Sequence, residues 1–117
     1  MVKRIEDYAM IGDGQSLALV GLNGAIDWLC LPRFDSDACF AALLGRPEHG
    51  SWELCPQRPA QQTRRRYAGD TLVLETEFHT EGGACLVTDF MPIREGKHST
   101  LVRIVSGLSG VVEMRTT

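Results

Sequence analysis

Residues 71–80 read Thr-Leu-Val-Leu-Glu-Thr-Glu-Phe-His-Thr, which is the clearest alternating pattern in the chain. Two sets of side chains interleave along it: Leu72, Leu74, Thr76 and Phe78 in one set, and Val73, Glu75, Glu77 and His79 in the other. Successive side chains of a β-strand point to opposite faces, so a period of two predicts a strand with one face turned to a core.

The segments after this strand predict two hairpins. Glu81-Gly82-Gly83 supplies a turn, and residues 84–91 are expected to pair back along the first strand. A further hairpin is predicted from residues 100–106 and 111–115, joined by a turn at 107–110 that contains two glycines. Consecutive hairpins of this kind are typical of antiparallel sheets.

The segments before it predict another hairpin and one helix. Asn23-Gly24 is a strong turn signal, because both residues accept a positive φ, and it predicts a hairpin over about residues 16–31. A short helix is predicted near 37–44, where Ser36 can cap the first turn and Gly45 can end the last one.

Strands at 51–55 and 63–67 complete the pattern. The chain is therefore predicted to be all-β, an antiparallel β-sandwich of about seven to nine short strands with one short helix. Strands and helices do not alternate as they would in a parallel α/β fold. Its 117 residues suit a single domain over 1–117.

The composition limits the partners and the compartment. The formal net charge is −3 and the pI is about 5.5, which argues against nucleic acid as a partner. No apolar run approaches the roughly 18 residues of a membrane span, and the N-terminus carries no signal peptide pattern, so a cytoplasmic location is expected. The four cysteines form no C-x-x-C pair. Free thiols are expected, and one disulfide stays possible if the chain is exported.

Catalytic and metal-binding patterns are weak in this chain. Asp27, Asp35 and Asp37 lie close in sequence, as the paired carboxylates of a glycoside hydrolase would. Each also has a plain structural role, however. Asp27 alternates with apolar residues and is expected to face solvent or a backbone donor. The three histidines are scattered, so neither a metal site nor a cofactor site is predicted.

The best candidate contact residues are Trp28, Arg33, Phe34 and Asp35. Pro32 ends a predicted strand and delivers the next four residues to the rim of the sandwich, where binding loops commonly lie. An aromatic ring between a cation and a carboxylate suits a polyhydroxy ligand or a neighbouring domain. The alternatives are that Arg33 and Asp35 pair with each other to hold the turn, and that Trp28 is buried in the core.

Four segments of the chain resemble the start of bacterial glycoside hydrolase family 15 proteins, the glucoamylase-like and trehalase-like enzymes. They are residues 5–14 (IEDYAMIGDG), 25–36 (AIDWLCLPRFDS), 69–76 (GDTLVLET) and 88–92 (TDFMP). The stretch around Trp28 to Ser36 is long and unusual, and the resemblance extends over essentially the whole chain.

The resemblance implies an N-terminal β-sandwich that precedes a large (α/α)₆ barrel, which carries the two catalytic glutamates of an inverting mechanism. The chain ends at Thr117, before such a barrel, so no catalytic residue is assigned to it. The implied role is a non-catalytic accessory domain of an enzyme acting on α-glucosides, either trehalose or an α-glucan, that packs on the barrel and borders it. The alternative is an independent carbohydrate- or protein-binding module.

The resemblance also implies a β-domain longer than this chain, so that an open sheet edge is expected at its end. Val111–Arg115 is the segment expected to lie there, because it is rich in β-forming residues. Open edges recruit strands from other chains, so the isolated chain is predicted to form a homo-oligomer.

Overall fold

A computed structural model describes residues 7–13, 16–30, 38–40, 51–92 and 100–117; for Cys30 and residues 38–40 it describes the backbone alone. The described residues contain ten strands: β1 (Tyr8–Gly12), β2 (Leu17–Gly21), β3 (Ala25–Cys30), β4 (Ala38–Phe40), β5 (Trp52–Pro56), β6 (Gln62–Tyr67), β7 (Leu74–Thr80), β8 (Gly83–Phe90), β9 (Val102–Gly110) and β10 (Met114–Thr116). None of these ranges contains an α-helix.

The strands form two antiparallel sheets that pack together, which confirms the predicted β-sandwich. The larger sheet has the order β1-β2-β3-β5-β10, and β4 pairs with β3 outside this path. The smaller sheet has the order β6-β7-β8-β9. The chain passes from the larger sheet to the smaller between β5 and β6, and returns between β9 and β10.

The alternation in β7 is the clearest link between sequence and packing. Leu74, Thr76 and Phe78 are at most 3% exposed, whereas Glu75 and Glu77 between them are partly exposed. The predicted faces are therefore confirmed within the strand. It begins at Leu74, later than the sequence pattern indicates.

Two apolar clusters fill the space between the sheets. The first joins β1, β2 and β3 to the smaller sheet: Ala9, Ile11, Ala18, Val20, Ile26, Leu29, Leu74 and Met91. The second joins β5 to β7 and β8: Leu54, Phe78, Cys85 and Val87. Full burial of a Val, Leu, Ile, Phe or Met side chain contributes about 1.5–3 kcal/mol to folding. These clusters are therefore the main source of stability.

The predicted helix near 37–44 is wrong over its first half. Ala38–Phe40 forms β4, which pairs with β3 through Phe40 opposite Leu29 and Ala38 opposite Cys30. A helix of two turns is marginal in isolation, whereas the edge of β3 offers backbone hydrogen bonds to any extended segment. Residues 41–44 lie outside the described ranges.

The predicted hairpin around 107–110 is also wrong. β9 runs without interruption to Gly110, and Leu108 forms a bulge because Cys85 pairs with Gly107 while Ala84 pairs with Ser109. The glycines that suggested a turn instead serve a β-bulge and the strand end. The segment after Gly110 crosses to the larger sheet, where β10 pairs with β5.

Candidate functional site

A buried cation on the smaller sheet, Arg103, contacts the larger sheet. Arg103 on β9 donates from Nε to Oδ1 of Asp89 on β8 over 2.7 Å, and the two side chains are 0% and 1% exposed. Burial raises the pKa of Asp89 above its usual value, and the Arg103 guanidinium acts in the opposite direction. The pair is therefore kept in place by hydrogen bonds, with solvent excluded from both groups.

The same guanidinium reaches the larger sheet. It donates from Nη2 to the carbonyl oxygen of Gly24 over 2.7 Å and from Nη1 to that of Trp52 over 2.9 Å. Its carbon Cζ also lies 5.2 Å from the centre of the Trp52 ring. Arg103 thus ties the β2–β3 turn and β5 to the smaller sheet at a single point.

Gly24 is the residue that allows this arrangement. It has a φ of +87°, and its carbonyl accepts a second hydrogen bond from the Leu54 amide over 3.1 Å. A Cβ atom at this position would overlap the carbonyl oxygen of Leu54. Only glycine combines this backbone conformation with so close an approach of β5.

A second buried polar pair joins β1 to β3. The Tyr8 hydroxyl donates to Oδ2 of Asp27 over 2.6 Å, and Asp27 is 6% exposed. The expectation that Asp27 faces solvent is therefore wrong, and a tyrosine hydroxyl is one of its partners. Burial, followed by the hydrogen bond to Asp27, raises the pKa of Tyr8 well above its usual value.

A cavity of about 600 Å³ lies where the β2–β3 turn, β5 and β10 meet β6 and β7. The larger sheet and its β2–β3 turn contribute six of the lining residues: Leu22, Asn23, Glu53, Cys55, Pro56 and Arg115. The smaller sheet contributes Thr63 and Phe78. Ligand-binding cavities in proteins commonly enclose about 300–1,000 Å³, so a small molecule fits here.

The connection between β5 and β6 forms one wall of this cavity. The Gln57 amide donates to the Glu113 carbonyl and the Gln61 amide to the His79 carbonyl, each over 2.7 Å. Arg58 and Pro59 lie between these two anchors and line the cavity. The wall is thus tied at both ends to the body of the sandwich.

Two cysteine side chains are described, and both are free thiols. Cys55 accepts a weak hydrogen bond from Nη2 of Arg115 over 3.7 Å, and Cys85 donates to the sulfur of Met114 over 3.6 Å. Burial raises the pKa of the Cys85 thiol. Across the described ranges, no three His, Cys, Asp or Glu side chains gather as a metal site would require.

The predicted contact residues are only partly placed by the structure. Trp28 is half-buried on β3, opposite Leu19 of β2, and it is not among the described residues that line the cavity. Arg33, Phe34 and Asp35 lie outside the described ranges. Of the four predicted contact residues, the structure thus describes the position of Trp28.

Sequence reasoning missed Asp89 and Arg103, although a signal for the first was present. Asp89 falls in phase with Cys85 and Val87, two apolar positions of a predicted strand, so alternation places its carboxylate on the inner face. An inward carboxylate needs a cation, and Arg103 lies directly opposite in the register.

Comparison with known proteins gives one consistent result. The family described as trehalase-like, N-terminal, matches residues 1–114. The trehalase of Mycobacterium tuberculosis is 30% identical over 94% of this chain, and that of Thermoplasma volcanium is 37% identical over 79% of it. The chain spans 19% and 15% of those two relatives. No solved structure matches the chain, and the described residues include no helix that is long and apolar enough to cross a membrane.

Proposed function

The chain belongs to the trehalase-like N-terminal family, and on this premise we propose that it is a non-catalytic accessory domain that packs on a catalytic (α/α)₆ barrel. The barrel is that of a glycoside hydrolase of family 15, an inverting enzyme acting on trehalose or a related α-glucoside. The chain's contribution is to support and border the barrel, and the chemistry lies outside these residues.

The observation that carries this proposal is the share of the relatives that the chain covers. It aligns along nearly its whole length with trehalases, yet it spans less than a fifth of them. Two of the described carboxylates are consistent with this proposal, because Asp27 and Asp89 are both buried against structural partners, Tyr8 and Arg103. Neither is exposed to a substrate as a hydrolytic acid or base must be.

The loop after β3 is our proposed contact with the barrel. β3, a central strand of the larger sheet, ends at Cys30, and Pro32, Arg33, Phe34 and Asp35 follow it in the sequence. Arg33→Ala and Asp35→Ala in an enzyme that contains this domain are expected to lower activity at an unchanged melting temperature. Unchanged kinetics with a lower melting temperature would assign both residues to the turn.

We propose that the protein is located in the cytoplasm. The two free thiols, Cys55 and Cys85, support a reducing compartment.

The test of the accessory role is a replacement of domains. The segment of the Mycolicibacterium smegmatis trehalase that matches this chain is deleted in one protein and replaced by this chain in a second. The replacement is expected to hydrolyse trehalose, and the deletion is not. A third protein carries the replacement with Asp89→Ala, which unties the sheets and should lose activity. The proposal is overturned if the chain alone releases glucose from trehalose, maltose or starch, or if the replacement is no more active than the deletion.

A further inference from the structure

We propose that the cavity between the β2–β3 turn, β5 and the 57–61 connection is a binding site for a neutral saccharide, a glucoside of one or two rings. The volume of about 600 Å³ is sufficient for such a ligand. None of the described residues that line the cavity belongs to the segment proposed to meet the barrel. The choice of a glucoside among neutral polyhydroxy molecules rests on the proposed function.

The charges of the lining favour a neutral ligand. Among the described lining residues are two carboxylates, Asp7 and Glu53, and two guanidinium groups, Arg58 and Arg115, so their formal charges cancel. Glu53 Oε1 lies 3.6 Å from Nη2 of Arg115, which keeps the two signs side by side. An anion that approached the guanidinium groups would also meet the carboxylates. Hydroxyl groups both donate and accept, so a saccharide can satisfy the two kinds of group together.

The uncharged polar groups of the lining also suit the hydroxyl groups of a saccharide. Asn23, Gln57 and Thr63 also line the cavity. Asn23 Oδ1 accepts from the Ala25 amide over 3.1 Å, and this bond orients the side chain while its amide nitrogen keeps two donor hydrogens. Amide and hydroxyl groups at fixed positions are the means by which binding sites orient a small polar ligand.

The remaining lining is apolar. Leu22, Pro59, Ala60 and Phe78 contribute to it, and Leu22 is 39% exposed. A pyranose ring has a face of C–H groups that packs against such surfaces, whereas an ion or a fully solvated polyol gains nothing there. The combination of an apolar floor and paired polar groups is therefore typical of a saccharide site.

The site is formed before any ligand arrives. The 57–61 connection is tied at Gln57 and at Gln61 to backbone carbonyls, and Pro59 restricts the backbone between them. On the opposite side Gly24 holds the turn against β5. Ordering a loop on binding lowers affinity, so walls fixed in advance favour even a weakly bound sugar.

The test is a titration of the ¹⁵N-labelled 117-residue chain, followed by its amide resonances. Trehalose, maltose and methyl α-glucoside are added in turn, with glucose 6-phosphate as the charged probe. We expect saturable shifts centred on Leu22, Asn23 and the 57–61 connection with the neutral sugars. The absence of saturable shifts with all three neutral sugars overturns the proposal, and so does tighter binding of glucose 6-phosphate.

Two variants locate the site. Arg58→Ala removes a donor from an exposed part of the wall, and Thr63→Trp fills the cavity; each should weaken binding about tenfold or more. Arg64→Ala is the matched control, because Arg64 is an exposed arginine of β6 that does not line the cavity. The amide spectrum of each variant shows whether it is folded. Equal weakening by Arg64→Ala, or none by both cavity variants, contradicts the assignment.

This titration involves no catalysis, so its outcome is separate from that of the domain replacement. Saccharide binding by a chain that fails to support trehalase activity would contradict the accessory role alone. The reverse outcome is also distinguishable. If a replacement protein that carries Thr63→Trp hydrolyses trehalose, and the titration of the unmodified chain detects no sugar binding, the saccharide site alone is contradicted.

Discussion

Arg103 Nε lies 2.7 Å from Asp89 Oδ1, and solvent reaches about 1% of the Asp89 side chain and none of the Arg103 side chain. Removing a charge from water is costly, so this pair is stable only because every partner is present together. The other partners are the carbonyls of Gly24 and Trp52 in the opposite sheet. The pair is therefore a point at which one substitution affects the contact between both sheets.

Asp89→Ala is expected to lower the free energy of unfolding by about 3–5 kcal/mol, because it leaves the Arg103 guanidinium buried without its counter-ion. Urea denaturation measures this loss. The double variant Asp89→Leu, Arg103→Met removes both charges and should be more stable than Asp89→Ala.

The matched control for this prediction is Arg66→Ala. Arg66 also pairs with carboxylates, Glu77 at 2.9 Å and Glu75 at 3.5 Å, but its side chain is 55% exposed. Exposed pairs contribute little, so its loss should change stability far less. Similar effects of Asp89→Ala and Arg66→Ala would show that burial does not give the Arg103 pair its importance.

Gly24→Ala is expected to destabilise the fold more than Gly69→Ala does. Both glycines have a positive φ, +87° and +58°, so both substitutions incur the backbone strain of roughly 1–2 kcal/mol. At Gly69 no atom lies within 4 Å of the added Cβ, whereas at Gly24 that Cβ overlaps the Leu54 carbonyl. The difference between the two melting temperatures therefore measures the steric part, and equal losses would contradict the close packing of β5 on the turn.

The parts of the fold that local pattern predicted are those where one face is buried and turns are short. The hairpin at Asn23-Gly24, the strand that begins at Leu74 and its return strand follow from alternation and turn chemistry. β1 was not predicted, because Tyr8–Gly12 is short and mixes buried and exposed apolar residues. β4 was not predicted because it has three residues and is extended only through its pairing with β3. β10 overlaps the strand predicted at 111–115, but its partner is the distant β5 and not the strand before it.

The cavity could not be predicted from sequence because its lining comes from distant segments. Asn23, Glu53, Phe78 and Arg115 meet only after the chain has crossed twice between the sheets. The buried Arg103 has a similar origin, since its carbonyl partner at Gly24 is 79 positions away. The burial of Asp89 could have been predicted, because the alternation in β8 places its side chain on the inner face.

Tyr8→Phe is expected to lower the unfolding free energy by about 1–2 kcal/mol at neutral pH, because Asp27 then loses its hydroxyl donor. The pKa of Tyr8 is raised in the folded state above its ordinary value of 10.0. Stability from a raised pKa is present below pH 10 and is lost as pH rises toward the folded value. The advantage of the wild type over Tyr8→Phe, measured by urea denaturation, should therefore shrink above pH 10. An advantage that grows would contradict the hydrogen bond.

Thiol titration should count four reactive cysteines in denaturant without reductant. In the native chain Cys85 should react slowly, because it is 2% exposed and burial raises its pKa, which lowers the thiolate fraction. A count of about two in denaturant would instead reveal a disulfide.

The isolated chain is expected to self-associate through β9. The sequence points to Val111–Arg115 for this role, but Met114 and Arg115 are paired with β5 in the structure. β9 is instead one of the two edges of the smaller sheet among the described strands, and it has nine residues and one charged side chain, whereas the other edge, β6, carries three arginines. Val105 is 43% exposed, although its ladder partner Val87 on the same face is 1% exposed. Within the described part of the chain, the inner face of the smaller sheet is therefore exposed at Val105.

A second copy could place its β9 antiparallel to the first β9. This pairing would cover the open edge of β9 and extend the sheet about a two-fold axis. Light scattering over a concentration series should then give a mass that rises above 12.9 kDa. Val105→Lys places a charge in the edge and should restore the monomer. Leu72→Lys is the matched control, since Leu72 is 44% exposed and precedes β7. A mass of 12.9 kDa at every concentration, or dissociation by Leu72→Lys as well, would show that β9 is not the interface.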